Sequence, residues 1–196
     1  MNKRSYAPII GFTGLAQSGK SASAKWISDS YGWRVIKMAD PLKAMLYSVG
    51  LTKEHLEGGL KSVPCRALCN KTPRHAMQTL GTEWGRQLIG EDLWVNLWRI
   101  QAEKFLGVAG VICDDVRFDN EINTIHEMGG IIVRIERAGQ GQKDDHLSER
   151  VPEKFDVMLD NAGTLPDLFR TVDAFFDSVE FSNDLPDDLP LTAVEA

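Results

Sequence analysis

Short continuous apolar runs alternate along this chain with stretches of helical apolar spacing, an order that predicts parallel strands joined by crossover helices. Residues 7–12, with Ile9, Ile10 and Phe12, read as a first buried strand, and residues 21–31, with Ala22, Ala24, Trp26 and Ile27, as the helix after it. Gly32 suits that helix's C-terminus. Residues 33–39 read as a second strand, closed by Asp40 as cap and Pro41 at the first position of a helix through Leu42, Met45, Leu46 and Val49. Residues 50–71 lack a clear period and are expected to hold a short helix at 52–56 and a mobile loop. Thr72 and Pro73 then open a helix with Met77, Leu80, Trp84, Leu88 and Ile89 at helical spacing. Gly81 and Gly85 interrupt it, each at a cost of about 1 kcal/mol relative to alanine. Close helix packing or a nearby ligand would explain them.

A further helix runs from Glu91 or Asp92 through Leu93, Trp94, Leu97, Trp98 and Phe105. Residues 110–113 form a short apolar run ending in Asp114 and Asp115, the profile of a central parallel strand. A helix from about Asp119 follows, with Ile122, Ile125 and Met128 on one face, stopped by Gly129 and Gly130. Residues 131–137 are a fourth strand, 155–159 a fifth, and 165–178 a last amphipathic helix. The expected fold is α/β: three layers, with a five-stranded parallel sheet and helices on both faces. Residues 1–178 form one domain, and the acidic, proline-containing stretch 179–196 a flexible tail.

Composition narrows the class. The chain has 196 residues, 43% hydrophobic and 26% charged, with no apolar run near the length of a membrane span. A net charge of −6 disfavours a general nucleic-acid surface. The three cysteines, Cys65, Cys69 and Cys113, form no disulfide framework, which suits a reducing, cytoplasmic setting. With His75, Cys65 and Cys69 make at most a partial zinc pattern lacking a fourth ligand.

The most informative stretch is residues 14–21, Gly-Leu-Ala-Gln-Ser-Gly-Lys-Ser, which fits the phosphate-cradling loop G-x-x-x-x-G-K-[ST] between a strand and a helix. Its glycines let amide groups turn onto phosphate oxygens, the helix N-terminus contributes its dipole, and Lys20 adds a full charge. Ser21 is placed to ligate Mg²⁺, and an acid at the end of a buried strand is the second element required. Asp114 and Asp115 supply it; strand alternation puts them on opposite faces, so one is expected to serve the metal while the other caps or pairs with Arg117. A guanine-reading Asn-Lys-x-Asp is missing, since Asn70-Lys71-Thr72-Pro73 starts it and then departs. Arg74, Arg86, Arg117, Arg134 and Arg137 add the positive charge needed to bring two anionic reactants together.

Several segments, taken in order, resemble the phage deoxynucleoside monophosphate kinases of the P-loop nucleotide kinase class. Besides residues 14–21 they are 38–43 (Met-Ala-Asp-Pro-Leu-Lys), 74–86 (through Leu80-Gly81-Thr82-Glu83), 92–95, and 115–121 (Asp-Val-Arg-Phe-Asp-Asn-Glu). Gly129-Gly130, residues 145–149 and residues 160–165 (Asp-Asn-Ala-Gly-Thr-Leu) complete the series. Asp119 departs from the family, which often has proline there. The resemblance implies a nucleoside monophosphate kinase fold with acceptor-binding helices over about 40–106 and a lid over about 138–153. It implies ATP as donor with Mg²⁺, held by Gly14, Ala16, Gln17, Ser18, Gly19, Lys20, Ser21 and Ala22, with Arg134 on the lid side and Asn161 and Gly163 against the adenine. Metal contacts fall to Ser21 with Asp115 or Asp114. Acceptor contacts fall to Asp40, Lys43, Arg74, Gln78, Arg86, Trp94 and Arg117, and catalytic roles to Lys20, Arg117, Arg137 and Asp40.

The implied reaction is transfer of the γ-phosphate of ATP to a deoxynucleoside monophosphate, supplying precursors for phage DNA synthesis in the host cytoplasm. A dephospho-coenzyme A kinase-like enzyme and a non-catalytic nucleotide-binding subunit are the alternatives. Expected partners are small-molecule nucleotides, not nucleic acid or membrane; a homodimer is left open.

Overall fold

The computed structural model describes residues 5–137 and 151–182. Most of the expected lid, including residues 145–149, and most of the expected tail lie outside them. The described residues divide into two compact units, residues 5–37 with 99–137 and 151–182, and residues 38–98.

The first unit is built on a five-stranded, all-parallel sheet. Its strands are β2 (Ile9–Thr13), β3 (Arg34–Val35), β4 (Val111–Cys113), β5 (Ile131–Glu136) and β6 (Val157–Asp160), in the order β3-β4-β2-β5-β6. Burial follows position. Central β2 is buried at every residue, and edge strand β6 only at Leu159, so continuous apolar runs mark the middle of the sheet. On one face, α1 (Lys20–Tyr31) and α7 (Leu165–Ser178) pack Ala24, Ile27, Leu168, Val172 and Phe175 against Ile10, Phe12, Ile112 and Val133. On the other face lies α6 (Asp119–Glu127): a Cβ added to Gly11 would stand 2.8 Å from Ile125 Cδ1. The expected five-stranded α/β sheet with helices on both faces is therefore present.

Two details differ from expectation. The second strand is confined to Arg34–Val35, with one further ladder bond from Ile36 N–H to the Ile112 carbonyl. Residues from Lys37 onward leave the sheet edge, where only one neighbour is available to hold them. Within the stretch expected as a tail, β7 (Glu180–Phe181) pairs in parallel with β1 (Ser5–Tyr6) as a separate two-stranded sheet. Phe181 explains it: its ring packs edge-on to Trp33 at 4.9 Å and lies 5.2 Å from Phe176.

The second unit is helical: α2 (Asp40–Ser48), α3 (Lys53–Leu56), 3₁₀ turns at Gly59–Ser62 and Arg66–Leu68, then α4 (Pro73–Thr79) continuing as a π-helix over Leu80–Ile89. The chain then enters α5 (Leu93–Glu103). Its core is Leu46, Leu51 and Leu56, with Cys65, Leu68, Ala76, Met77 and Leu80 against it. The region expected as a mobile loop is thus partly structured. Thr72 and Pro73 do open α4, the Thr72 hydroxyl accepting from His75 N–H at 3.1 Å. Asp40 is corrected: it is the first residue inside α2, and Ala39 holds the cap position. Gly85 is explained by close packing, since a Cβ there would sit 2.5 Å from the Trp94 indole. No helix among the described residues is long and apolar enough to cross a membrane.

Candidate active site

The phosphate-loop residues are assembled where central strand β2 ends. Gly14 (φ 135°), Gln17 (φ 65°) and Gly19 (φ 114°) adopt left-handed backbone, which turns the chain back on itself between strand and helix. Gly14 has no alternative, because a Cβ would come within 2.4 Å of the Ile135 carbonyl. α1 starts at Lys20 with no capping side chain at Gly19, leaving the first-turn amides to an anion. The Lys20 ammonium folds over the loop, donating to the carbonyls of Gly14 (2.7 Å) and Leu15 (2.6 Å). Ala16, Gln17 and Ser21 are exposed, Ala22 is half-buried, and Ser18 is buried beneath.

At the end of β4 the two acids diverge, as strand alternation requires. Asp114 is buried and pairs with Lys37 at 2.8 Å through one oxygen; its other oxygen is buried without a hydrogen-bond partner. Asp115, half-buried, accepts from the Cys113 thiol at 3.2 Å. Burial first, then Asp115 and Glu121, pushes the Cys113 thiol well up, so it remains protonated and unreactive at neutral pH. Buried Glu121 caps the start of α6, accepting from the backbone N–H of Arg117 (2.6 Å) and Phe118 (3.2 Å). Lys37 belongs to no motif in the sequence; Glu121 closes the 115–121 segment, but its role at the helix start was not assigned there.

Arg134 lies on β5 with its guanidinium 4.4 Å over the Phe155 ring, donating to the Pro152 carbonyl and 3.6 Å from Glu136. It clasps the chain that re-enters β6. Arg137 is exposed just past β5. Asn161 is buried, and its side-chain amide donates to the Ser18 carbonyl at 2.8 Å. Gly163 abuts the α7 cap, where Asp167 accepts from Thr164 N–H at 2.8 Å.

The residues expected to bind acceptor, except Arg117, lie in the second unit. Lys43 pairs with Glu57 at 2.7 Å. Arg74 and Gln78 are both half-buried on α4, four residues apart and so on one helix face. Arg74 Nε lies 3.4 Å from Ser62 Oγ, and Arg86 donates to the Glu91 carbonyl at 3.2 Å. Trp94 is buried, its Nε1–H donating to the Gly81 carbonyl at 2.8 Å and its ring against Gly85. Among the described residues no group of three or more His, Cys, Asp and Glu side chains gathers to hold an ion, and Cys65 and Cys69 are free thiols.

The chain is 27% identical over 191 residues to a deoxynucleotide monophosphate kinase named in Acanthamoeba polyphaga mimivirus, covering 89% of this chain and 99% of that protein. It is 32% identical over 134 residues to the deoxynucleoside-5′-monophosphate kinase of Escherichia phage T5, covering 64% of this chain and 49% of that one. Against the deoxynucleotide monophosphate kinase of Enterobacteria phage T4 it is 31% identical over 103 residues, covering 50% and 43%. The chain thus spans nearly all of the mimivirus protein and less than half the length of the phage ones. The family model described as deoxynucleotide monophosphate kinase matches residues 67–172, more than half of the sequence, and the chain belongs to that family.

Proposed function

We propose that this chain transfers the γ-phosphate of ATP to a deoxynucleoside 5′-monophosphate, giving the diphosphate and ADP, and so supplies precursors for phage DNA synthesis. One observation carries the reading: in a member of this family, an uncapped helix N-terminus, a left-handed glycine loop and Lys20 converge at the end of the central strand. No side-chain nucleophile is needed, because an oxygen of the acceptor's own phosphate attacks. Lys20 and the amides of residues 14–22 would bind the donor's β- and γ-phosphates, Lys20 exchanging its loop carbonyls for phosphate oxygens. Arg117, Arg134 and Arg137 would add charge stabilisation around the transferring group. On the acceptor side, Arg74 and Arg86 provide cations for a monophosphate, Gln78 hydrogen bonds for a base, and Asp40 and Lys43 further polar groups.

The residues present fit Mg²⁺. Ser21 is an exposed hard oxygen donor, Asp115 a half-buried one, and Asp114 keeps a buried oxygen without a hydrogen-bond partner. Such a small donor set suits an ion that takes its other ligands from phosphate and water. When bound, Mg²⁺ would neutralise charge developing on the phosphate oxygens.

The test is ADP release with a panel of deoxynucleoside monophosphates, natural and base-modified. ATP consumption that rises only when a monophosphate is added is the expected result, and ATP binding with no turnover on any of them would refute the reaction. Lys20→Ala is expected to lower transfer by at least about a hundredfold, on the scale of losing one preorganised charge contact. Wild-type rates in that variant would remove Lys20 from the mechanism.

A further inference from the structure

Asn161 stands 143 residues from Ser18 in sequence, yet its buried side-chain Nδ2 donates to the Ser18 carbonyl at 2.8 Å. Only the amide nitrogen can face a carbonyl oxygen, so the contact fixes the orientation of the Asn161 side chain. Its own backbone N–H donates to the Glu136 carbonyl at 2.7 Å, tying it to the end of β5. Ser18 is flanked by left-handed Gln17 (φ 65°) and Gly19 (φ 114°). The Ser18 carbonyl and the Gly19 N–H belong to one planar trans peptide and point in opposite directions. Whatever holds the carbonyl therefore aims the amide.

We propose that Asn161 is a positioning residue for the donor phosphate: by holding the Ser18 carbonyl on the sheet side, it turns the Gly19 N–H outward into the anion cradle. The inference rests on reading residues 14–21 as the donor loop, and it gives Asn161 a role other than contact with adenine. Close packing on the same side supports it. A Cβ on Gly19 would lie 2.8 Å from Asn161 Nδ2 and 2.8 Å from Leu168 Cδ2, so the peptide is seated directly on the Asn161 side chain and α7. Without the brace, the Ser18–Gly19 peptide, which leads into left-handed Gly19, could rotate and present its carbonyl to the phosphate, replacing attraction with repulsion.

Asn161→Asp keeps the shape, removes the donor and sets a carboxylate against the carbonyl; Asn161→Ala removes the donor without adding a charge. Calorimetric titration of the whole chain with Mg²⁺-tripolyphosphate, which has no base, and with Mg²⁺-ATP separates the two roles. Both ligands are expected to bind about tenfold more weakly to either variant, the loss of one hydrogen bond to an anion. Affinity for a deoxynucleoside monophosphate is expected to stay unchanged. Weaker ATP binding with unchanged tripolyphosphate binding would show a base contact and overturn the proposal, as would unchanged affinity for both. If the aspartate variant fails to fold by its melting profile, the alanine variant is read alone. A wild-type chain that binds neither ligand would overturn the phosphate-loop reading and the brace together. Binding without turnover would remove the proposed reaction and leave the brace to be judged from the affinities.

Discussion

Lys37 and Asp114 show how much a single pair can matter at this site. Asp114 is buried and its partner Lys37 is about one-third exposed, at 2.8 Å. Lys37→Met would leave a carboxylate in the sheet without its cation. Breaking a fully buried pair costs about 3–5 kcal/mol, and partial exposure of Lys37 reduces this to about 2 kcal/mol. Urea unfolding should show the loss as a lower midpoint with an unchanged slope; an unaltered midpoint would mean that the pair contributes no net stability. The pair also marks where sequence reading stops. Glycines 14 and 19 could be placed in advance because backbone geometry dictates residue type there. Lys37–Asp114 and Asn161–Ser18 join positions 77 and 143 residues apart, and no local period encodes such a meeting. Asp114 could be expected to find a partner, but not which one.

Among elements, central strands β2, β4 and β5 were legible as short continuous apolar runs, and α1, α6 and α7 by the helical spacing of their buried residues. The stretch 50–71 was less so. Its 3₁₀ turns at Gly59–Ser62 and Arg66–Leu68 are too short to display a repeat, and the core they support uses isolated side chains, Cys65 and Leu68. Helix ends were legible where capping chemistry is local. At α7, Asp167 accepts from the Thr164 backbone and hydroxyl and from Arg170. The Thr164 hydroxyl first, then its N–H and Arg170, hold the Asp167 carboxyl down to about 2. A folded-state value below the unfolded one means the carboxylate stabilises the fold fully above about pH 4, and that contribution fades as pH falls through about 2. Asp167→Ala should therefore melt below wild type at neutral pH, with the gap closing towards pH 2. A gap independent of pH would assign the effect to helix propensity instead of the ionised cap.

For the molecule as a whole, the division into a sheet unit and a helical unit follows from where apolar positions cluster, and the two carry different parts of the proposed chemistry. The sheet unit holds every donor residue described; the helical unit holds Arg74, Gln78 and Arg86, whose spacing on α4 and its π-helical continuation was visible in sequence only as an interrupted helix. The pairing of β1 with β7 was not visible, because two-residue strands carry no period and the second sits in an acidic stretch. Its contribution can be measured through Phe181, which joins Trp33 and Phe176 beside the main core of the sheet unit. Phe→Ala in a full core costs about 3–5 kcal/mol; a half-buried ring should cost about 2 kcal/mol. Phe181→Ala is thus expected to lower the melting temperature of the chain while leaving donor affinity intact, since Phe181 touches neither the loop nor Asn161 in any contact described above. Loss of Mg²⁺-tripolyphosphate binding at a temperature where the variant is still folded would instead couple this aromatic cluster to the phosphate loop, through α1 or α7.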